Sequence, residues 1–170
     1  MVNASSSGGP GNNSGKPTPF SPQSLFSTAY SWLSLSSNCG RWIRDLFYQI
    51  DSTFGAERWD KLLAYAGQGA LGQFDYIVEK NNQFYQGSAD TYATEHDGTI
   101  TLWKPFFQGN STYQAQVLLH ELIHKAGAGY FTDEVIAKKL GWRYDDSKPP
   151  DQNRDSASAY WNIHFLGVCQ

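Results

Sequence analysis

Two of the chain's 4 histidines fall in one pentapeptide, His120-Glu121-Leu122-Ile123-His124, with a glutamate between them. That combination of residue types suits metal-assisted hydrolysis. On a helix, His120 and His124 stand one turn apart on the same side. Two neutral imidazoles so placed can reach one zinc ion with Zn–N bonds of about 2.0–2.1 Å. Glu121 lies roughly 100° around such a helix from His120. It is then close to the metal without binding it, where a general base for a zinc-activated water belongs. A lone histidine on an amphipathic helix is commonly structural. The pairing, the intervening Glu121 and the hydrophobic flanks set this stretch apart, and we expect a Zn2+ site here.

The helix that must carry the pair is legible. Within Tyr113–Gly127, Ala115, Leu118, Leu119, Leu122, Ile123 and Ala126 recur at spacings of three and four and define one apolar face. Ser111 or Thr112 is a suitable N-cap, and Gly127 is a natural stop. After a loop over residues 128–131, Thr132 caps a short helix with Asp133 and Glu134 in its first turn. Lys138 and Lys139 sit in its last turn and Gly141 closes it.

Upstream, Ser24–Leu35 reads as a short helix, and Asn38 as the cap of a helix over Gly40–Phe54 with Trp42, Ile43, Leu46, Phe47 and Ile50 inward. Ala56–Ala66 forms another, broken by Gly67-Gln68-Gly69. The period then changes. Phe74–Glu79 reads as a strand, and Ala89–His96 and Thr99–Phe107 flank the hairpin turn signal Asp97-Gly98. Pro105 ends the second of these strands or places it on an edge. An edge strand just before the metal helix could pair with an extended peptide; an ordinary core hairpin is the alternative. Asp145–Ser158 reads as a polar surface loop, and a last helix runs from about Ser156 to Phe165.

These elements predict one α+β domain over residues 24–170, with helices around a short, mainly antiparallel sheet and the histidine helix at the centre. Residues 1–23 read as a disordered arm, since seventeen of them are Gly, Pro, Ser, Asn or Thr. A length of 170 residues fits one domain plus such a tail. The net charge of −3 and the lack of any basic run argue against nucleic acid as a partner. No apolar run reaches the roughly 18 residues of a membrane span. Six tryptophans and ten tyrosines suit a wide amphipathic surface or groove.

The N-terminus lacks the charged and apolar regions of a signal peptide. The chain therefore stays inside, leaves by another route, or is cut from a longer one. Cys39 and Cys169 show no metal-binding spacing. They are either free thiols or a disulfide tying the chain end to the helix that begins near Asn38, the latter favoured by an oxidising destination. Sequons at Asn3 and Asn110 matter only in a eukaryotic secretory route.

A catalytic zinc site needs a third protein ligand and an open position for water. In one group of such enzymes the ligand is a His or Asp six residues after the second histidine, but here that position is Tyr130. In another it is a glutamate on a later helix, but the stretch after Trp142 offers Asp145, Asp146, Asp151 and Asp155 and no Glu. The pair Asp133-Glu134 is the better candidate, because the loop after Gly127 can fold back towards the metal. Asp133 is the expected ligand and Glu134 the fallback; helix-dipole placement is the bland alternative for both. The expected chemistry is peptide-bond hydrolysis, with Glu121 taking the proton of the attacking water and passing it to the leaving amine. Tyr130 and His164 are candidates for stabilising the oxyanion.

The HELIH pentapeptide with its hydrophobic lead-in resembles the zincin metallopeptidases. A cysteine-containing helix, the TITLWKPFF stretch, LLHELIH and the TDEVIAKKLG helix together are similar to compact zincin-like domains at the C-termini of bacterial Rhs-type and other secreted polymorphic proteins. The similarity runs from about Asn38 to Cys169. It implies a zinc metalloprotease domain of a bacterial toxin or surface protein, exported as part of a larger chain. It also implies an aspartate before the short helix as the third ligand, here Asp133. The expected partners are a peptide or protein substrate and an inhibitory or immunity protein, with the domain itself a monomer. The other function classes open to this sequence are a non-enzymatic zinc-binding interaction module and a zinc amidase acting on cell-wall crosslinks.

Overall fold

Apolar stripes on several helices have to find one another, and that need sets the architecture. The structure, a computed structural model, describes residues 22–67, 76–80, 93–96, 99–103, 106 and 109–170. Among these, six α-helices follow one another: α1 (Pro22–Trp32), α2 (Asn38–Ile50), α3 (Gly55–Gly67), α4 (Ser111–Gly127), α5 (Asp133–Lys139) and α6 (Pro150–Val168). Short strands β1 (Tyr76–Lys80), β2 (Ala93–His96) and β3 (Thr99–Trp103) lie between α3 and α4 in order β1-β3-β2. In that sheet β2 runs antiparallel and β1 parallel to β3.

The expected α+β arrangement, helices around a mainly antiparallel sheet, is overturned, because the described residues are mainly helical. Its core is packed helix on helix, by residues such as Phe26 of α1, Phe47 of α2, Leu62 of α3, Leu119 of α4 and Trp161 of α6. Ile100 is the one strand residue among the described core members. The physical reason lies in the balance of apolar area. Each long helix carries a stripe that only another buried surface can cover, whereas strands of four or five residues offer too little area to organise such a core. The Asp97-Gly98 turn lies outside the described residues. So does the N-terminal arm, except that its last two residues, Pro22 and Gln23, already belong to α1.

The helix boundaries shift for local reasons. Ser37, not Asn38, caps α2, its Oγ accepting the Gly40 N–H at 2.8 Å. Asn110, not Ser111 or Thr112, caps α4 by accepting the Tyr113 N–H at 2.9 Å. The stretch after Asp145 is not a long loop, because α6 starts at Pro150. Proline is tolerated at that first helical position, where its missing N–H has no intrahelical partner to lose.

Helix α4 lies inside the bundle, against α1 and α3 on its apolar side. All six of its predicted apolar positions are buried. Cys39 and Cys169 form a disulfide with an S–S distance of 2.00 Å, joining the first turn of α2 to the residue after α6 across 130 positions. The Gln116 side chain of α4 donates to the Cys169 carbonyl at 2.6 Å, so the chain end is tied to two helices. No helix among the described residues is long and apolar enough to cross a membrane.

Closing so long a loop removes much chain entropy from the unfolded state. Reduction, or Cys39→Ser, should therefore lower the unfolding free energy by about 3–5 kcal/mol. The urea midpoint with and without reductant reads this directly. An unchanged midpoint would mean that the disulfide adds nothing to the docking of α6.

Candidate metal centre

The site is assembled from two consecutive helices and a third whose Trp161 and Asn162 touch its ligands. His120 and His124 project from the same side of α4, their ring centroids 4.7 Å apart. The chain then reverses. Gly127 lets the returning backbone close in, since a Cβ there would lie 2.4 Å from the Cβ of Phe131. Ala128 and Gly129 take left-handed conformations at φ 50° and 81° to complete the turn. Thr132 caps α5 through the Val135 N–H, and the first residue of α5, Asp133, faces both imidazoles.

Three ligand atoms converge. His120 Nε2 and His124 Nε2 lie 2.9 Å apart. Asp133 Oδ1 lies 3.3 Å from the second and 3.7 Å from the first. Two donors bound to one tetrahedral zinc at about 2.0–2.1 Å sit about 3.3 Å from each other. The observed separations of 2.9, 3.3 and 3.7 Å bracket that value. Among the described residues this trio is the one group of potential ligands close enough to hold a metal ion.

The outer contacts decide which way the lone pairs face. His120 Nδ1 lies 2.8 Å from Asn162 Oδ1, and His124 Nδ1 lies 2.5 Å from the Phe131 carbonyl oxygen. The carbonyl can only accept. The amide oxygen of Asn162, as oriented, also accepts. Each Nδ1 must then carry its proton, which leaves each Nε2 with a bare lone pair in the neutral ring. Two lone pairs and a carboxylate oxygen this close together repel unless a cation sits among them. The donor set therefore fits a divalent metal with imidazole and carboxylate ligands, zinc included. Side-chain exposures of 12% for His120, 15% for His124 and 21% for Asp133 leave the group reachable from solvent.

Without a metal, one proton takes that place. Burial, then the neighbouring charge of His124, pushes His120 down to about 3. Burial also opposes charge on His124, but its hydrogen bond and attraction to Asp133, with help from Glu121 and the Phe131 carbonyl, outweigh it and raise His124 to about 9. Burial works against ionised Asp133 too, yet the two imidazoles and the Trp161 N–H hold its carboxyl well below the ordinary carboxylate range.

Of the residues singled out by sequence, His120, His124 and Asp133 come together. Glu121 is buried beside them, and its charge is felt at His124. Glu134 turns away, its carboxylate 3.6 Å from Arg154 Nε. Tyr130 is 67% exposed, its ring against the Arg58 guanidinium. His164 is exposed and packs on Tyr160. Among the described contacts neither Tyr130 nor His164 touches the trio, so the sequence-based choice of oxyanion stabiliser gains no support.

Two residues of α6 escaped the sequence. Trp161 donates its indole N–H to Asp133 Oδ1 at 2.5 Å and stacks on His120 with centroids 4.3 Å apart. Asn162 fixes the His120 tautomer. Their one sequence signal was a Trp-Asn pair on a helix rich in aromatics, which does not distinguish a ligand support from core.

Comparison of the chain with protein-family models, with curated proteins and with solved structures finds no match.

The protonation pattern fixes the sign of a pH effect. The metal-free site holds one proton, on His124, up to about pH 9, and a metal must displace it. Affinity for zinc should therefore rise with pH by about tenfold per unit below that point and flatten above it. Competition against a chelator at several pH values measures the slope. A flat profile between about pH 6 and pH 8 would contradict the retention of that proton on His124.

Proposed function

We propose that this chain is a zinc-dependent hydrolase of peptide bonds, with the metal held by His120, His124 and Asp133. The observation that carries the proposal is the convergence of two Nε2 lone pairs and one carboxylate oxygen, with both Nδ1 atoms committed elsewhere. Zinc bound there would supply Lewis-acid polarisation of a carbonyl and a lowered pKa for water. The chain's own residues supply the rest. Glu121, next to His120 in sequence and buried, accepts the proton of the attacking water and returns it to the leaving amine. Trp161 and Asn162 hold Asp133 and His120 in place, so that the ligands pay little reorganisation when the metal enters.

The HELIH order favours a peptide as substrate, because a glutamate between two histidines at this spacing is the metalloprotease arrangement. The disulfide suits an oxidising destination. It thereby supports export; a toxin or effector role with an inhibitory partner rests on the resemblance to C-terminal zincin-like domains.

Glu121→Gln keeps the shape of the side chain and removes its basicity. The variant should retain the metal and lose about 10²–10⁴-fold in turnover of an unstructured peptide mixture. Mass spectrometry of the digest gives the cleavage sites. Equal turnover by the variant, or no cleavage by the zinc-loaded native chain, sinks the peptidase reading.

A further inference from the structure

Arg58 is the one buried arginine among the described residues. It lies on α3, remote in sequence from every ligand. Its Nε donates to Asp51 Oδ2 at 3.0 Å, and its Nη1 donates to the carbonyl of Gly127, the last residue of the histidine helix. The guanidinium carbon stands 4.7 Å from the ring centre of Tyr130 and 5.4 Å from that of Phe131. Asp51 is itself held, its other oxygen accepting the N–H groups of Thr53 at 3.1 Å and Phe54 at 2.9 Å. One planar cation thus fastens a fixed carboxylate, a helix C-terminus and two aromatic rings.

All its contacts beyond Asp51 fall in the turn that makes the metal centre. Gly127 O also accepts the Tyr130 N–H at 3.0 Å, which closes the reversal. Phe131 offers its carbonyl to His124 Nδ1, and Asp133 follows two residues later. The position of this turn therefore sets both the tautomer of His124 and the reach of the third ligand.

We propose that Arg58 is a positioning residue for the metal site: by clamping residues 127–131 it holds the Phe131 carbonyl on His124 and turns Asp133 towards both imidazoles. Lysine cannot replace it. An ammonium is a point charge without a planar fork, so it cannot serve Asp51 and Gly127 O at once while also standing over two rings. The inference rests on the metal-site reading, and the test separates the two.

The test compares the native chain with Arg58→Met, Arg58→Lys and Leu62→Ala. The last truncates a core residue on the same helix and leaves the clamp in place. Two quantities are measured: zinc affinity by chelator competition, and the exchange-protected Nδ1 proton of His124 by NMR in the metal-free protein. Both Arg58 variants should bind zinc about tenfold more weakly and lose that proton signal. Leu62→Ala should keep both at a comparable loss of thermal stability. If Arg58→Met does not fold, Arg58→Lys decides alone. Affinity within about twofold of native with the signal intact, or an equal loss in Leu62→Ala, overturns the proposal. A native chain that binds no zinc would defeat the metal reading, and the Nδ1 signal would still decide the role of Arg58.

Discussion

Two imidazole nitrogens facing each other at 2.9 Å, each with its other nitrogen committed to an acceptor, are an unfavourable arrangement unless a proton or a metal ion lies between them. Relaxing it would take only a rotation of either ring. The surroundings prevent that: Trp161 stacks on His120, Asn162 and the Phe131 carbonyl each hold an Nδ1, and Asp133 is fixed by the Trp161 indole. The contacts that hold the ligands are thus made by the protein itself. Such preorganisation spares the ordering that a flexible trio would undergo on binding.

The fold explains how so small a chain maintains this. Helix α4 cannot rotate, because its opposite face is buried against α1 and α3. Helix α6 lends Trp161 and Asn162 to the site and is held at its end by the disulfide and by the Gln116 bond to Cys169. Helix α5 is only seven residues long and would be marginal alone. It is carried by its Thr132 cap, by packing against α6, and by the turn that Arg58 holds. Stability at the periphery and geometry at the centre are therefore the same set of contacts.

How much of this the sequence disclosed follows from the range of each interaction. The histidine pair, the apolar face of α4 and the Thr132 cap are written within a few residues of one another, so periodicity and capping rules find them. Asp133 was within reach because only a tight turn separates it from His124. Trp161, Asn162 and Arg58 act across tens of residues, and nothing local marks them. The architecture was misjudged for a related reason. The Asp97-Gly98 turn signal between two strand-like stretches is a clean local pattern and points to a short antiparallel sheet with helices around it, but the share of the core each element takes depends on packing between distant helices. The start of α6 was lost because Pro149-Pro150 reads as a loop unless the second proline is placed at the first helical position.

The most direct test of the account is the metal content of the purified chain after zinc loading and dialysis, beside His120→Ala treated in the same way. The account predicts about one zinc per chain in the native protein and none retained by the variant. Equal zinc in both, or none in either, would contradict it and leave the three converging side chains as a proton-sharing cluster within a helical domain.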